Sequence, residues 1–101
     1  MSIMENDKQP CVYIVTNRPR GVLYVGVTSD LPKRIWQHKQ GQGSAFTAKY
    51  RLYKLVWYQL HETMEEAIAH EKRLKFWKRG WKIELIEKTN PTWRDLYPTL
   101  F

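Results

Sequence analysis

Two β-branched, aromatic runs flank a short reversal near the start of the chain. Residues 12–16 (VYIVT) and 22–27 (VLYVGV) have strand composition, and Asn17-Arg-Pro-Arg-Gly21 between them carries turn residues. Two strands joined by so short a turn predict an antiparallel hairpin. If the turn centres near Arg18 and Pro19, Tyr13 and Tyr24 lie opposite each other on one face. Gly26 shares that face, where a missing side chain would leave a concavity for a ligand backbone.

A helix is expected next, with Asp30 as N-cap, Pro32 in the first turn, and a stop at Gly41 and Gly43. Residues 40–50 read as a polar loop and residues 53–60 (YKLVWYQL) as a third strand. Thr63 and Glu66 form a capping box, which predicts a helix to about Lys78, ended by Gly80. Residues 81–89 are ambiguous: Trp81, Ile83 and Leu85 alternate as in a strand, yet Trp81 and Leu85 also have helical spacing. The expected organisation is a flexible leader over residues 1–10, one domain over 11–97 and a tail over 98–101.

With 101 residues, 43% of them hydrophobic, there is one core to fill and no sign of a disordered chain. The net charge of +7 favours a polyanionic partner, nucleic acid before membrane. No apolar run approaches the length of a membrane span. Cys11 is the single cysteine, which fits a reducing, cytoplasmic setting. His38, His61 and His70 lack zinc-motif spacing.

Charge placement singles out particular residues. On the second helix Met64, Ala67, Ile68 and Leu74 form an apolar stripe, and Glu71 falls inside it. A carboxylate there needs a cationic partner, a hydrogen-bond cluster or a metal. An ordinary ion pair to Lys or Arg is the bland alternative. On the first helix Arg34 and His38 are four apart, bordering the inner face set by Leu31 and Ile35. Two phenols, a guanidinium, an imidazole and a carboxylate suit phosphodiester cleavage with one divalent ion. The carboxylate holds the metal, Arg clamps the phosphate, and a phenol or imidazole takes a proton from water.

Val12-Tyr13-Ile14 and Tyr24-Val25-Gly26, with ten residues between the tyrosines, resemble the paired motifs of the GIY-YIG nuclease superfamily. The segment VTSDLPKRIWQH resembles that family's first helix, with Arg34 and His38 at its arginine and His/Tyr positions. EEAIAHEKRLKFWKR is similar to the helix bearing its metal-binding glutamate, here Glu71, and NPTWRDLY to the ending of the short, stand-alone bacterial branch, with Asn90 as its late asparagine. The likeness extends over residues 11–97 and includes the nuclease domain of the incision subunit of excision repair.

It implies an α+β fold, a three-stranded antiparallel sheet flanked by helices in the order β-β-α-β-α-α, with residues 81–89 as the third helix. It also implies hydrolysis of DNA to 5′-phosphate and 3′-hydroxyl ends with a single Mg²⁺ or Mn²⁺ on Glu71. Tyr13, Tyr24, Arg34 and His38 become the catalytic candidates, and Tyr13 the first choice of base. Cys11 stands in place of the first motif's glycine, and Val27 where some branches carry a lysine.

The expected nucleic-acid surface comprises Lys33, Lys39, Lys49, Arg51, Lys72, Lys75, Lys78 and Arg79, with Arg73 and Lys82 beside them. DNA is the expected partner, RNA is left open, and branched, damaged or single-stranded DNA or delivery by a partner protein is favoured over sequence-specific cutting. One alternative is a non-cutting nucleic-acid-binding module of the same fold. Another is a protein adaptor that docks through Trp36, Trp77 and Trp93.

Overall fold

A computed structural model describes residues 8–101. The expected leader over residues 1–10 therefore lies largely outside the described residues. Gln9 and Pro10, at its end, are bonded to the fold. Gln9 N–H donates to Ser29 O, Gln9 Nε2 to His61 O, and His61 N–H to Pro10 O, which pins this segment across the strand ends.

The elements are β1 (Cys11–Thr16), β2 (Leu23–Thr28), α1 (Leu31–Lys39), α2 (Ala45–Tyr50), β3 (Lys54–Leu60), α3 (Met64–Phe76) and α4 (Arg79–Thr89), with a 3-10 turn at Tyr97–Leu100. The three strands form one antiparallel sheet in the order β2-β1-β3. This is the expected α+β architecture, and residues 81–89 are helical.

The central strand β1 is buried at every residue, so its alternating side chains feed two separate cores. Val12 and Ile14 join Val25, Val56, Ala67, Leu74 and Ile86 beneath α3 and α4. Cys11, Tyr13 and Val15 join Leu31, Ile35, Leu52, Leu55 and Leu100 on the α1 side. Leu100 is 1% exposed, so residues 98–101 are not a free tail: the final turn closes the second core.

Local chemistry explains most boundaries. Asp30 accepts from Lys33 N–H at 3.3 Å and Thr63 from Glu66 N–H at 3.1 Å, the two N-caps expected. Three features depart from expectation. The hairpin loop is longer by one pair: Gly21 N–H donates to Arg18 O, Arg20 is left-handed at φ 53°, and Asn17 Oδ1 accepts from Val22 N–H. Tyr13 consequently pairs with Gly26, and Tyr24 with Val15. The tyrosines share a face but sit diagonally.

Second, Ser44 caps a short helix within the expected loop, taking Thr47 N–H at 3.1 Å. Third, Gly80 does not end α3. Trp77 and Lys78 adopt extended backbone (ψ 145° and 148°), which breaks the helix earlier, and Gly80 lies in the first turn of α4. A bulge between the β1 and β3 ladders leaves Val56 without a strand partner. Asn90 Nδ2 donates to the Val56 carbonyl at 3.1 Å and to Arg94 O at 2.9 Å, while its Oδ1 accepts from Arg94 N–H at 3.2 Å.

Candidate active site

Tyr13, Arg34 and His38 converge on one point. Tyr13 stands in mid-β1 and faces α1, whose i, i+4 spacing aims Arg34 and His38 back at it. The Tyr13 hydroxyl lies 2.8 Å from His38 Nε2, and Arg34 Nε donates to the same oxygen at 3.3 Å. His38 Nδ1 lies 3.0 Å from Thr47 Oγ1. The Thr47 hydroxyl has Ser44 O as an acceptor at 3.3 Å, with Ser44 Oγ at 2.9 Å.

Proton placement follows from counting donors. Of the two imidazole tautomers, only the one with Nε2 bare gives the Tyr13 proton an acceptor, His38 Nε2. Nε2 is then bare and Nδ1 carries the imidazole proton, given to Thr47. Arg34, Tyr13, His38, Thr47 and Ser44 thus form one directed chain. No buried side-chain nitrogen or oxygen among the described residues lacks a partner.

Burial tunes the two titrating members oppositely. Tyr13 and His38 are each 1% exposed. Desolvation pushes the Tyr13 phenol up to about 12, with Arg34 pulling against that rise. It pushes the His38 imidazolium down to about 4, and the Arg34 charge pushes the same way. Both groups are neutral at pH 7, which the directed chain requires.

Gly26 has a different role from the one expected. A Cβ built there would lie 2.4 Å from Tyr13 Cζ and Oη, so the Tyr13 ring occupies the space the glycine leaves. Gly43 serves His38 similarly, since a Cβ there would lie 1.9 Å from Nδ1. Tyr24 is half-buried, edge-on to His38 with centroids 6.0 Å apart and stacked on Phe46 at 6.1 Å.

Arg34 opens outward into a polar cleft of about 370 Å³ lined by Lys8, Val27, Thr28, Ser29, Asp30, Lys33 and Gln37. Three cations against one carboxylate make it an anion site. Lys33 belongs to the expected basic surface, whereas Lys8 falls in the segment set aside as a leader. Thr47 was hidden in the expected loop. The demand that a buried histidine satisfy both ring nitrogens is the signal that points to such a partner.

Glu71 is not part of this cluster. It lies on α3 with Ala67 and Leu74, on the opposite face of the sheet. Met64 and Ile68, which defined the expected stripe, are 36% and 38% exposed, so the inner face is Ala67, Glu71 and Leu74. The Glu71 carboxylate is 14% exposed and pairs with Lys75 Nζ at 3.2 Å. The strand β2, against which α3 packs, is one of the two edges of the sheet. Asn90 is 2% exposed, and its amide ties the end of α4 to Val56 on β3 and to Arg94.

The basic surface is divided. Lys39 is taken by Asp95 at 2.5 Å and Tyr53 O at 2.9 Å, and Arg79 by Arg20 O and Gly21 O. Lys33, Lys49, Arg51, Lys72 and Lys78 are exposed. Of the aromatics expected to be exposed, Trp93 is 3% exposed and donates from Nε1 to Glu87 at 2.7 Å.

Residues 9–84 match the family model of the GIY-YIG catalytic domain. The chain belongs to the GIY-YIG family, a family of nucleases, as the paired motifs and the sheet imply. Among its relatives is the UPF0213 protein SSP2268 of Staphylococcus saprophyticus, 36% identical over 77 residues, covering 76% of this chain and 93% of the relative. The UPF0213 proteins of Staphylococcus aureus strains Mu3 and Mu50 show the same identity and coverage. No solved structure matches.

Nucleases of this family generally use a divalent metal. A hard divalent cation wants carboxylate and water oxygens. Among the described residues no three His, Cys, Asp or Glu side chains cluster as a metal cage. Glu71 offers a single, partly exposed carboxylate, with a half-exposed lysine as an exchangeable counter-ion. That donor set fits a single, water-rich ion.

Proposed function

We propose that the protein is a metal-dependent endonuclease that hydrolyses phosphodiester bonds in DNA and recognises structure or damage rather than sequence. The observation that carries this reading is the convergence of Arg34 Nε and His38 Nε2 on the Tyr13 hydroxyl beside a cationic cleft. A non-cutting module needs the cations but has no use for a buried, directed proton chain.

Arg34 holds the scissile phosphate, with Lys33 and Lys8 adding charge. Attacking water gives a proton to the Tyr13 oxygen as Tyr13 passes its own to His38 Nε2. The water oxygen bonds to phosphorus and the bond to O3′ breaks with its electron pair on O3′, which takes a proton from solvent, leaving 5′-phosphate and 3′-hydroxyl ends. Transfer onto His38 is costly because burial first, and the Arg34 charge second, hold the imidazole down to about 4. A phosphate anion against Arg34 offsets the second of these causes and so eases the transfer. Tyr24, less buried than Tyr13, stands edge-on to His38. Glu71, on the other face of the sheet, would hold a Mg²⁺ or Mn²⁺, which would supply Lewis-acid chemistry to a strand that passes around the edge strand β2.

Structure-directed cutting, or delivery by a partner protein, is part of the same proposal. RNA carries the same bond and belongs in the same test. A reducing compartment such as the cytoplasm suits the buried Cys11 thiol, and DNA repair is a setting that suits structure-directed incision. Among the described residues no helix is long and apolar enough to cross a membrane.

The test is a nicking assay on plasmid, flapped duplex and single-stranded DNA and on RNA, with Mg²⁺, Mn²⁺ or EDTA. Cutting of DNA that requires the metal is expected. Tight binding without cutting under every metal condition would instead mark a binding module.

A further inference from the structure

The corner where α3 meets α4 exposes aromatic rings that neither core uses. Phe76 is 91% exposed, Trp81 53% and Trp77 36%. The extended backbone at Trp77 and Lys78 breaks the helix here and turns these rings outward. Trp77 and Trp81 meet edge to face with centroids 6.0 Å apart and line a cleft of about 330 Å³ with Glu84, Leu85 and Lys88. Lys78 Nζ sits 5.9 Å above the Trp81 ring.

Large rings grouped in water mark a binding surface rather than scattered surface residues. Their surroundings identify the partner's chemistry. Lys72, Arg73, Lys78 and Lys88 are exposed around them, against Glu84 in the cleft. A partner that offers flat π faces on a polyanionic backbone satisfies both features at once. An apolar protein surface would have to desolvate the cations. Duplex DNA keeps its base faces inside the stack, so only unpaired bases can use the rings.

The corner is also fixed relative to the cleft at Arg34. Arg79 donates to Arg20 O at 2.5 Å and to Gly21 O at 2.7 Å, which holds the corner against the turn before β2. Val27 and Thr28, at the other end of that strand, line the Arg34 cleft. The six residues of β2 at about 3.3 Å each span roughly 20 Å, the reach of a short run of nucleotides.

We infer that the α3–α4 corner is a stacking platform for the unpaired bases of a nucleic-acid strand whose backbone runs along β2 toward Arg34. The direction of that strand rests on the nuclease reading of the cleft. The stacking itself does not.

The experiment measures anisotropy of a labelled oligothymidylate and of an abasic oligomer of equal length, in EDTA, with the intact chain. The abasic strand keeps the phosphates and lacks the rings. The parent is expected to prefer oligothymidylate by at least about fivefold. A Phe76→Ala/Trp81→Ala variant, altered only at exposed rings, should bind both oligomers alike and keep the parent's salt dependence. Equal binding of the two oligomers by the parent, or a preference that survives in the variant, overturns the proposal. So does self-association through these rings with no change in oligonucleotide binding, which would mark a protein-docking face. Because EDTA removes cutting from the readout, a base preference in a protein that never nicks DNA would sink the nuclease reading and leave the platform standing.

Discussion

The two faces of the sheet hold their polar groups in opposite ways. On the α1 face Tyr13 and His38 are each 1% exposed, neutral and locked in a chain of hydrogen bonds from Arg34 to Ser44. On the α3 face Glu71 balances a charge against Lys75, whose side chain is 48% exposed. A neutral network can be buried because every donor has an acceptor. A carboxylate can stand near a core when its counter-ion stays in water. The first arrangement fixes geometry in advance, and the second leaves a charge free to change partners.

The largest expected effect breaks the α1 side at its open end. Arg34→Lys keeps the charge but loses the planar fork and the Nε donor to Tyr13. Cutting should fall by about a hundredfold or more, the usual cost of one transition-state donor, while the melting temperature and overall DNA affinity stay near those of the parent. Single-turnover nicking decides it: a lysine variant as fast as the parent would remove Arg34 from the phosphate.

The next effect titrates the buried chain. The folded-state pKa of His38, about 4, lies below its ordinary 6.5, so the folded state resists a proton that the unfolded chain accepts. Stability is full above pH 6.5, falls as pH drops toward 4 and levels off below. The integrated loss is about 3 kcal/mol. His38→Gln removes this titration and leaves the lowered His70 in place. Chemical denaturation of both proteins at pH 7, 6 and 5 should show a smaller pH slope in the variant, and equal slopes would mean that His38 is not the buried acid-sensitive group.

A smaller effect comes from crowding the same chain. In Gly26→Ala a methyl would meet the Tyr13 ring at 2.4 Å, a contact that must displace Tyr13 or β2. A destabilisation of about 1–3 kcal/mol is expected, together with weaker cutting as the Tyr13 hydroxyl leaves His38. An alanine variant with the parent's melt and the parent's nicking rate would show that the glycine was not making room for the phenol.

How much of this was legible in the sequence depends on the range of the interaction. Strand composition and the Asp30 and Thr63 caps are local signals, and the elements stand where those signals put them. Arg34, His38 and the two tyrosines were legible because motif spacing survives in the order of residues. Contacts across the fold were not. A one-pair shift in the hairpin, set by Asn17 and a left-handed Arg20, moved Gly26 opposite Tyr13 and changed what the glycine is for. Thr47 was missed because a helix of one and a half turns carries almost no periodicity, and Lys8 because its place depends on Gln9 and Pro10 bonding to distant strand ends. Asn90 shows the same limit, since its partner is a carbonyl freed by a bulge that nothing in the order of residues announces.

The smallest expected effect concerns Glu71, and it tests the comparison most directly. Glu71→Gln is nearly isosteric and removes the charge. If the α3 face depended on the ion pair, the variant would strand the Lys75 ammonium and lose several kcal/mol. Lys75 is half-exposed, however, so water can take over its solvation. The metal-free change in stability should therefore stay within about 1 kcal/mol, and its sign can be positive because a carboxylate beside Ala67 and Leu74 has gone. A divalent ion that binds the folded chain adds stability by mass action, about 1.4 kcal/mol at ten times its dissociation constant. Mg²⁺ or Mn²⁺ should accordingly raise the melting temperature of the parent and leave that of the variant unmoved. Melts of both proteins in EDTA and in a metal series separate the two accounts. A variant destabilised by several kcal/mol in EDTA would make Glu71 a structural partner of Lys75. Equal metal-induced shifts in the two proteins would move the ion away from Glu71, and with it the contrast between a face built in advance and a face completed by its ligand.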